Sequence, residues 1–164
     1  MTDAPERPER SARDGTETSD RDRSTHGGSG YAEFAGALAS RTRRVDVLAL
    51  CAVPAVLTCA FALPVATRRS LAFTYTDPSP LTAFTAHYVH LRADHLFGNL
   101  AGYVLLAGVG YALAALSGRR RFFFVALATF VGAFPVVLSA LNLAVPRNAV
   151  GFGFSGVNMA LAGL

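Results

Sequence analysis

What most constrains this chain is the grouping of its apolar residues into blocks about as long as a helix that crosses a bilayer, roughly twenty residues each. One block covers 47–66, from Val47-Leu48-Ala49-Leu50-Cys51 to Leu63-Pro64-Val65-Ala66; a second covers 93–116 and a third 122–144. Hydrophobic residues make up 52% of the 164, which in a soluble domain would serve one core. Here they form no stripes with a polar opposite face, so the blocks read as spanning helices. The fold class expected is an all-α polytopic membrane protein. Pro54 and Pro135 fall inside blocks, where neighbouring helices can satisfy the backbone groups a proline frees, and Pro64 marks an end. A short apolar run opens after Gly156 and reaches Leu164, so a fourth span is expected to be truncated.

The charges sort by position. Eight arginines and eight acids lie in residues 1–44, against seven arginines and three acids (Asp46, Asp77, Asp94) in 45–164. Residues 1–30, rich in Pro, Arg, Glu, Asp, Ser and Gly, are expected to be a disordered tail. They hold no apolar core of a signal peptide. Residues 31–45 form a juxtamembrane segment. Tyr31, Phe34, Ala35 and Leu38 have helical spacing, which fits a surface-lying helix and a weakly helical linker equally well. Arg41, Arg43 and Arg44 precede the first span, and Arg119-Arg120-Arg121 separates the second from the third. Two spans apart, both clusters belong on one side, and the positive-inside rule makes it cytoplasmic. The N-terminus is then inside, and the 67–90 loop outside, with Arg68 and Arg69 a weak contrary signal. The arginines flank spans and form no continuous stripe, which argues against nucleic acid as a partner. A transporter is disfavoured, since no ionisable residue falls at mid-membrane depth and no inverted repeat is visible.

Polar residues at the edge of an apolar span are functional candidates. His87, His90 and His95 lie within nine residues, and Asn99 follows one helical turn after His95. A metal is disfavoured: His95 is five residues from His90, about 140° round a helix, and no cysteine or second carboxylate joins them. Cys51 and Cys59, two turns apart in one span, cannot form a disulfide with each other. With the topology above, His95 and Asn99 at the outer end of the second span and Ser155 at the outer end of the fourth reach a similar shallow depth. A serine with an imidazole and an amide in a partly dry pocket provides the parts for acyl transfer, a nucleophile and oxyanion donors. Gly153 and Gly156 remove side chains beside the serine, giving room for a substrate backbone and for close helix packing. Gly151-x-Gly153-x-x-Gly156 matches a dinucleotide fingerprint in form only, because no strand precedes it among these spans.

His90-x4-His95-x3-Asn99 on the second span, together with Gly153-Phe154-Ser155-Gly156 opening the fourth, resembles the rhomboid intramembrane serine proteases. The resemblance covers residues 46–164, the first four spans of that family's six-helix core, and implies an incomplete rhomboid-like helical bundle. It implies Ser155 as nucleophile, His95 and Asn99 as oxyanion-hole residues beside the serine N–H, and His90 as structural support. It further implies hydrolysis of transmembrane protein substrates near the outer membrane face, with the lipid bilayer as surroundings and no cofactor. Three features depart from the family. Its general-base histidine, on the sixth span, has no counterpart here and is expected beyond Leu164. Its Trp-Arg pair in the first outer loop is absent, and a glutamate near the cytoplasmic end of the second span is replaced at Tyr111. The alternative is a non-catalytic rhomboid-like pseudoprotease that binds transmembrane clients.

Overall fold

A computed structural model describes residues 21–145 and 148–164. The tail residues 1–20, and Pro146 and Arg147, lie outside the described residues. The chain is mostly helical. In order it forms α1 (Arg21–Arg41), α2 (Arg44–Ala62), α3 (Val65–Ser70), β1 (Phe73–Thr74), α4 (Pro80–Thr85), α5 (Ala93–Leu116), α6 (Arg120–Gly132), α7 (Phe134–Asn142), β2 (Val150–Gly151) and α8 (Ser155–Ala162). It divides into two units after Ala37, the second being Leu38–Leu164. In the first, α1 begins inside the stretch expected to stay unfolded. Gly27, Gly28 and Gly30 are poor helix formers and argued for coil. α1 nonetheless runs through them, which is allowed because extending a helix costs far less than nucleating one. Tyr31 and Phe34 remain exposed.

The second unit carries the apolar helices. α2 and α5 are each long and apolar enough to cross a membrane, and α6 with α7 would make a third crossing if that bent pair is one span. α5 coincides with the second apolar block. Its inward stripe is Leu96, Asn99, Tyr103, Ala107, Tyr111 and Ala115, three or four residues apart. The other faces expose Phe97, Val104, Leu105, Val109 and Leu113. A helix apolar outside as well as inside is what a lipid solvent selects. The last apolar run, where a truncated fourth span was expected, forms α8, 8 residues long.

The third block is not one straight helix. It bends by 44° between α6 and α7, at Pro135. A proline has no N–H for the carbonyl four residues before it. For Pro135 that carbonyl belongs to Val131, and the Tyr88 hydroxyl donates to it. The same device recurs at Pro54 in α2. The carbonyl it frees is that of Leu50, and the Tyr103 hydroxyl donates to it at 3.0 Å. Each proline defect is thus filled from another part of the bundle.

The 67–90 stretch, expected to be a mixed loop, is structured. Ser79 caps α4 by accepting from the Thr82 N–H at 3.2 Å. β1 pairs antiparallel with β2, placing Phe73 opposite Gly151 and Thr74 opposite Val150. Two residues per strand gave no alternation to read in the sequence. At the end where α2 begins and α5 finishes, Asp46 is buried. Its Oδ2 accepts from the Tyr111 hydroxyl at 2.9 Å, the Arg120 guanidinium at 3.1 Å and the Arg43 N–H at 3.2 Å.

Tyr103→Phe and Tyr88→Phe should each leave a buried carbonyl without a donor and lower stability by about 1–3 kcal/mol. Tyr31→Phe, on an exposed residue, should change little. Unfolding of the full chain in detergent, followed by circular dichroism, checks both; equal stability of all three variants would contradict the capping role.

Candidate active site

Ser155 is the first residue of α8 and is exposed, whereas Phe154 before it and Val157 after it are fully buried. The first N–H groups of any helix lack intrahelical acceptors, so donors gather around the serine. Its approach is pinned at two points. The β1–β2 pairing holds Val150–Gly151, and the Gly153 N–H donates to the Ala86 carbonyl at 2.9 Å. Gly153 has φ +104°, a conformation that favours glycine. A Cβ there would also meet the His95 ring at 2.5 Å.

The space at the two glycines therefore goes to packing. At Gly153 it holds the His95 imidazole, and a Cβ at Gly156 would lie 2.5 Å from Leu138 of α7. The expectation of open room for a substrate backbone at these positions gives way to that of close packing. Gly102 of α5 likewise makes room for Asn158, whose Nδ2 would lie 2.9 Å from a Cβ.

The five other predicted site positions meet around this turn. Ser155, His95 and Asn99 line one cleft of about 700 Å³, together with Tyr75, Arg92, Asp94 and Gly151. The His95 ring is half-buried and stands edge-on to His90, with centroids 5.1 Å apart, and to Phe152 at 5.8 Å. Asn99 is buried, and its Nδ2 is engaged with His90 Nε2 and with the His95 carbonyl, each at 3.0 Å. The Asn158 amide, on α8 three residues after Ser155, donates to the Asn99 carbonyl at 3.0 Å. Asn99 is thus a node between α5, α8 and His90, and it also lines the cleft. Among the described residues, no hydrogen bond joins Ser155 to a histidine, and no cluster of His, Cys, Asp and Glu could hold a metal.

A second cavity of about 190 Å³ opens on the other side of Ser155, lined by His87, Ser139 and Asn142 among others. His87 Nε2 lies 3.1 Å from the Ser139 hydroxyl, which donates to the Ala83 carbonyl at 2.8 Å.

Arg68 was missed as a site residue. It is buried, and its guanidinium donates to the His90 carbonyl at 2.6 Å and the Leu63 carbonyl at 3.0 Å while lying 4.4 Å from the Phe61 ring. As a loop arginine it had counted only as a topology signal, and nothing local marks a buried one. Asn158, read as packing or capping, was visible only as an amide inside an apolar run. No family model, no curated protein and no solved structure matches the chain.

Burial pushes the His90 imidazole down to about 4 from 6.5, helped by neighbouring His95, and burial lowers His87 as well. The folded chain therefore refuses a proton that the unfolded chain accepts. Stability should be full above the ordinary histidine value of 6.5 and fall as the pH drops from there toward about 4. Melting temperatures across that window check the sign; a flat profile would contradict it, and His90→Asn should flatten the slope. Gly153→Ala forces a side chain into both a positive φ and the His95 ring, and should cost about 1–3 kcal/mol. A denaturation midpoint unchanged from wild type would show that the turn can relax.

Proposed function

We propose that the chain is the N-terminal part of a rhomboid-type intramembrane serine endopeptidase, with α2, α5, the bent α6–α7 pair and α8 as its first four spans. One observation carries this reading. A single cleft gathers Ser155, at an exposed helix start, with His95 and Asn99 from the opening turns of α5. In this reading the arginine end faces the cytoplasm, the N-terminus lies inside, and the cleft opens near the outer face of a multi-pass protein.

The chemistry follows from the positions. Ser155 Oγ attacks the carbonyl carbon of a peptide bond in a transmembrane substrate unwound near the cleft. The Ser155 N–H, the His95 ring and the Asn99 amide hold the oxyanion, while His90, bonded to Asn99 and edge-on to the His95 ring, supports them. The C–N bond breaks, the amine leaves with a proton, and water hydrolyses the Ser155 ester. The proton is carried by the histidine that the family bears on its sixth span, for which residues 1–164 hold no counterpart. No metal or organic cofactor takes part.

The second reading, a client-binding pseudoprotease, uses the same cleft as a binding surface for an uncleaved transmembrane segment. Membranes expressing the natural coding sequence decide between them. Ser155→Ala should abolish cleavage of a membrane-anchored reporter, and His95→Ala should slow it by roughly 10²–10³. Undiminished cleavage by Ser155→Ala would sink the peptidase assignment. Capture of an uncleaved transmembrane segment, equal in wild type and Ser155→Ala, would support the pseudoprotease instead.

A further inference from the structure

The end of the bundle remote from Ser155 carries its own site. Arg41, Arg43 and Arg44 lie before and at the start of α2, and Arg119, Arg120 and Arg121 where α6 begins. One buried carboxylate, Asp46, serves this end, and Arg120 pairs with it. Among the described residues, Arg41 and Arg43 pair with no carboxylate. The arrangement is concave. Ser40, Arg41, Arg43, Ala115, Gly118 and Arg120 line a cavity of about 400 Å³.

Its walls are fixed by bonds that leave the charges of Arg41 and Arg43 in place, while that of Arg120 is matched by Asp46. Arg41 donates to the Leu116 carbonyl, and at 3.4 Å to the Ala115 carbonyl, so it closes the C-terminus of α5 without being neutralised. Arg120 donates to the Arg41 carbonyl at 2.9 Å. Arg43 meets Asp46 through its main-chain N–H, and its exposed guanidinium acts on that carboxylate only through its charge, without a direct ion pair. Gly118, at φ +73°, puts no side chain into the floor, and the first N–H groups of α6 add donors beside it.

We infer that this pocket binds the phosphodiester headgroup of an anionic membrane lipid. Planar guanidiniums from two segments, each with several donors, match phosphate oxygens in geometry and charge. The pocket lies at the ends of α2 and α5, the two helices long and apolar enough to cross a membrane, so a phosphate held there would belong to a lipid whose chains run along their exposed apolar faces. The inference stands on the apolar spans and the arginines, not on chemistry at Ser155.

The test uses the full chain in phosphatidylcholine bilayers containing a minor fraction of phosphatidylglycerol. After mild extraction, co-purifying lipid is counted by mass spectrometry. Phosphatidylglycerol should be enriched over its bilayer fraction, and Arg43→Gln, which keeps the main-chain bond to Asp46, should reduce that enrichment roughly fivefold. Arg44→Gln and Arg121→Gln remove the same charge outside the pocket and should leave it. Circular dichroism confirms that each variant is folded, and Arg43→Lys, retaining charge without the fork, should recover part of the binding. The inference is overturned if Arg44→Gln and Arg43→Gln lose lipid equally, which a diffuse positive field would produce. It is overturned also if phosphatidylcholine is retained as well as phosphatidylglycerol, or if inorganic phosphate binds while the lipid does not.

Discussion

Inside an apolar surround, a backbone carbonyl without a donor is among the costliest defects a helix can carry, and this bundle has two prolines that each create one. Tyr103 fills the defect of Pro54, and Tyr88 that of Pro135. The rings of the same two tyrosines pack on Phe154, with centroids at 6.1 Å and 5.8 Å. Phe154 is wholly buried and immediately precedes Ser155. The repairs that make two prolines tolerable in the bundle therefore also clamp the residue that sets where α8 starts. Burial of the Tyr88 phenol pushes its pKa up to about 12, so it remains the donor the Val131 carbonyl needs.

Polar groups carry that constraint toward the cleft. Arg68 holds the His90 carbonyl, the His90 ring meets Asn99, and Asn99 accepts from Asn158 on α8. His95 stands between His90 and the Gly153 turn. A hydrophobic contact tolerates sliding, but a buried hydrogen bond fixes register, because its loss leaves a desolvated partner. Three segments distant in sequence are thereby held to one arrangement around an exposed serine. The alternating division of labour is physical: apolar faces place the helices, and the few polar side chains fix their relative rotation.

Much of this was legible in the residues. The 93–116 block is a helix at those bounds because twenty-odd apolar residues without a breaker have no other satisfied backbone state in lipid. His90, His95, Asn99 and Ser155 drew attention because polar groups at span edges are costly, and they do meet in space. What stayed hidden depends on partners distant in sequence. The β1–β2 pairing joins residues about eighty apart, with too few side chains for a pattern. The glycine of the Gly153 turn reads as free space in one dimension, yet the space is filled by a side chain from another helix. Tyr111 read as a lost carboxylate, but α2 brings Asp46 to it.

The arginines show the limit most plainly. Arg68 and Arg120 look alike in the sequence, each within an arginine cluster at the edge of an apolar stretch. A charge count treats both as markers of the side they face. Yet Arg68 is buried, its donors spent on two backbone carbonyls and its face laid on Phe61, whereas Arg120 pairs with Asp46 at the mouth of an open pocket. The first satisfies backbone acceptors that water does not reach and works as a structural bolt. The second ties the start of α6 to Asp46 and to the Arg41 carbonyl, at the edge of a pocket whose other arginines, Arg41 and Arg43, have no such partner. Charge alone could not separate them, because the deciding variable is where the fold places their acceptors: two backbone carbonyls for Arg68, a carboxylate and a carbonyl at a pocket edge for Arg120.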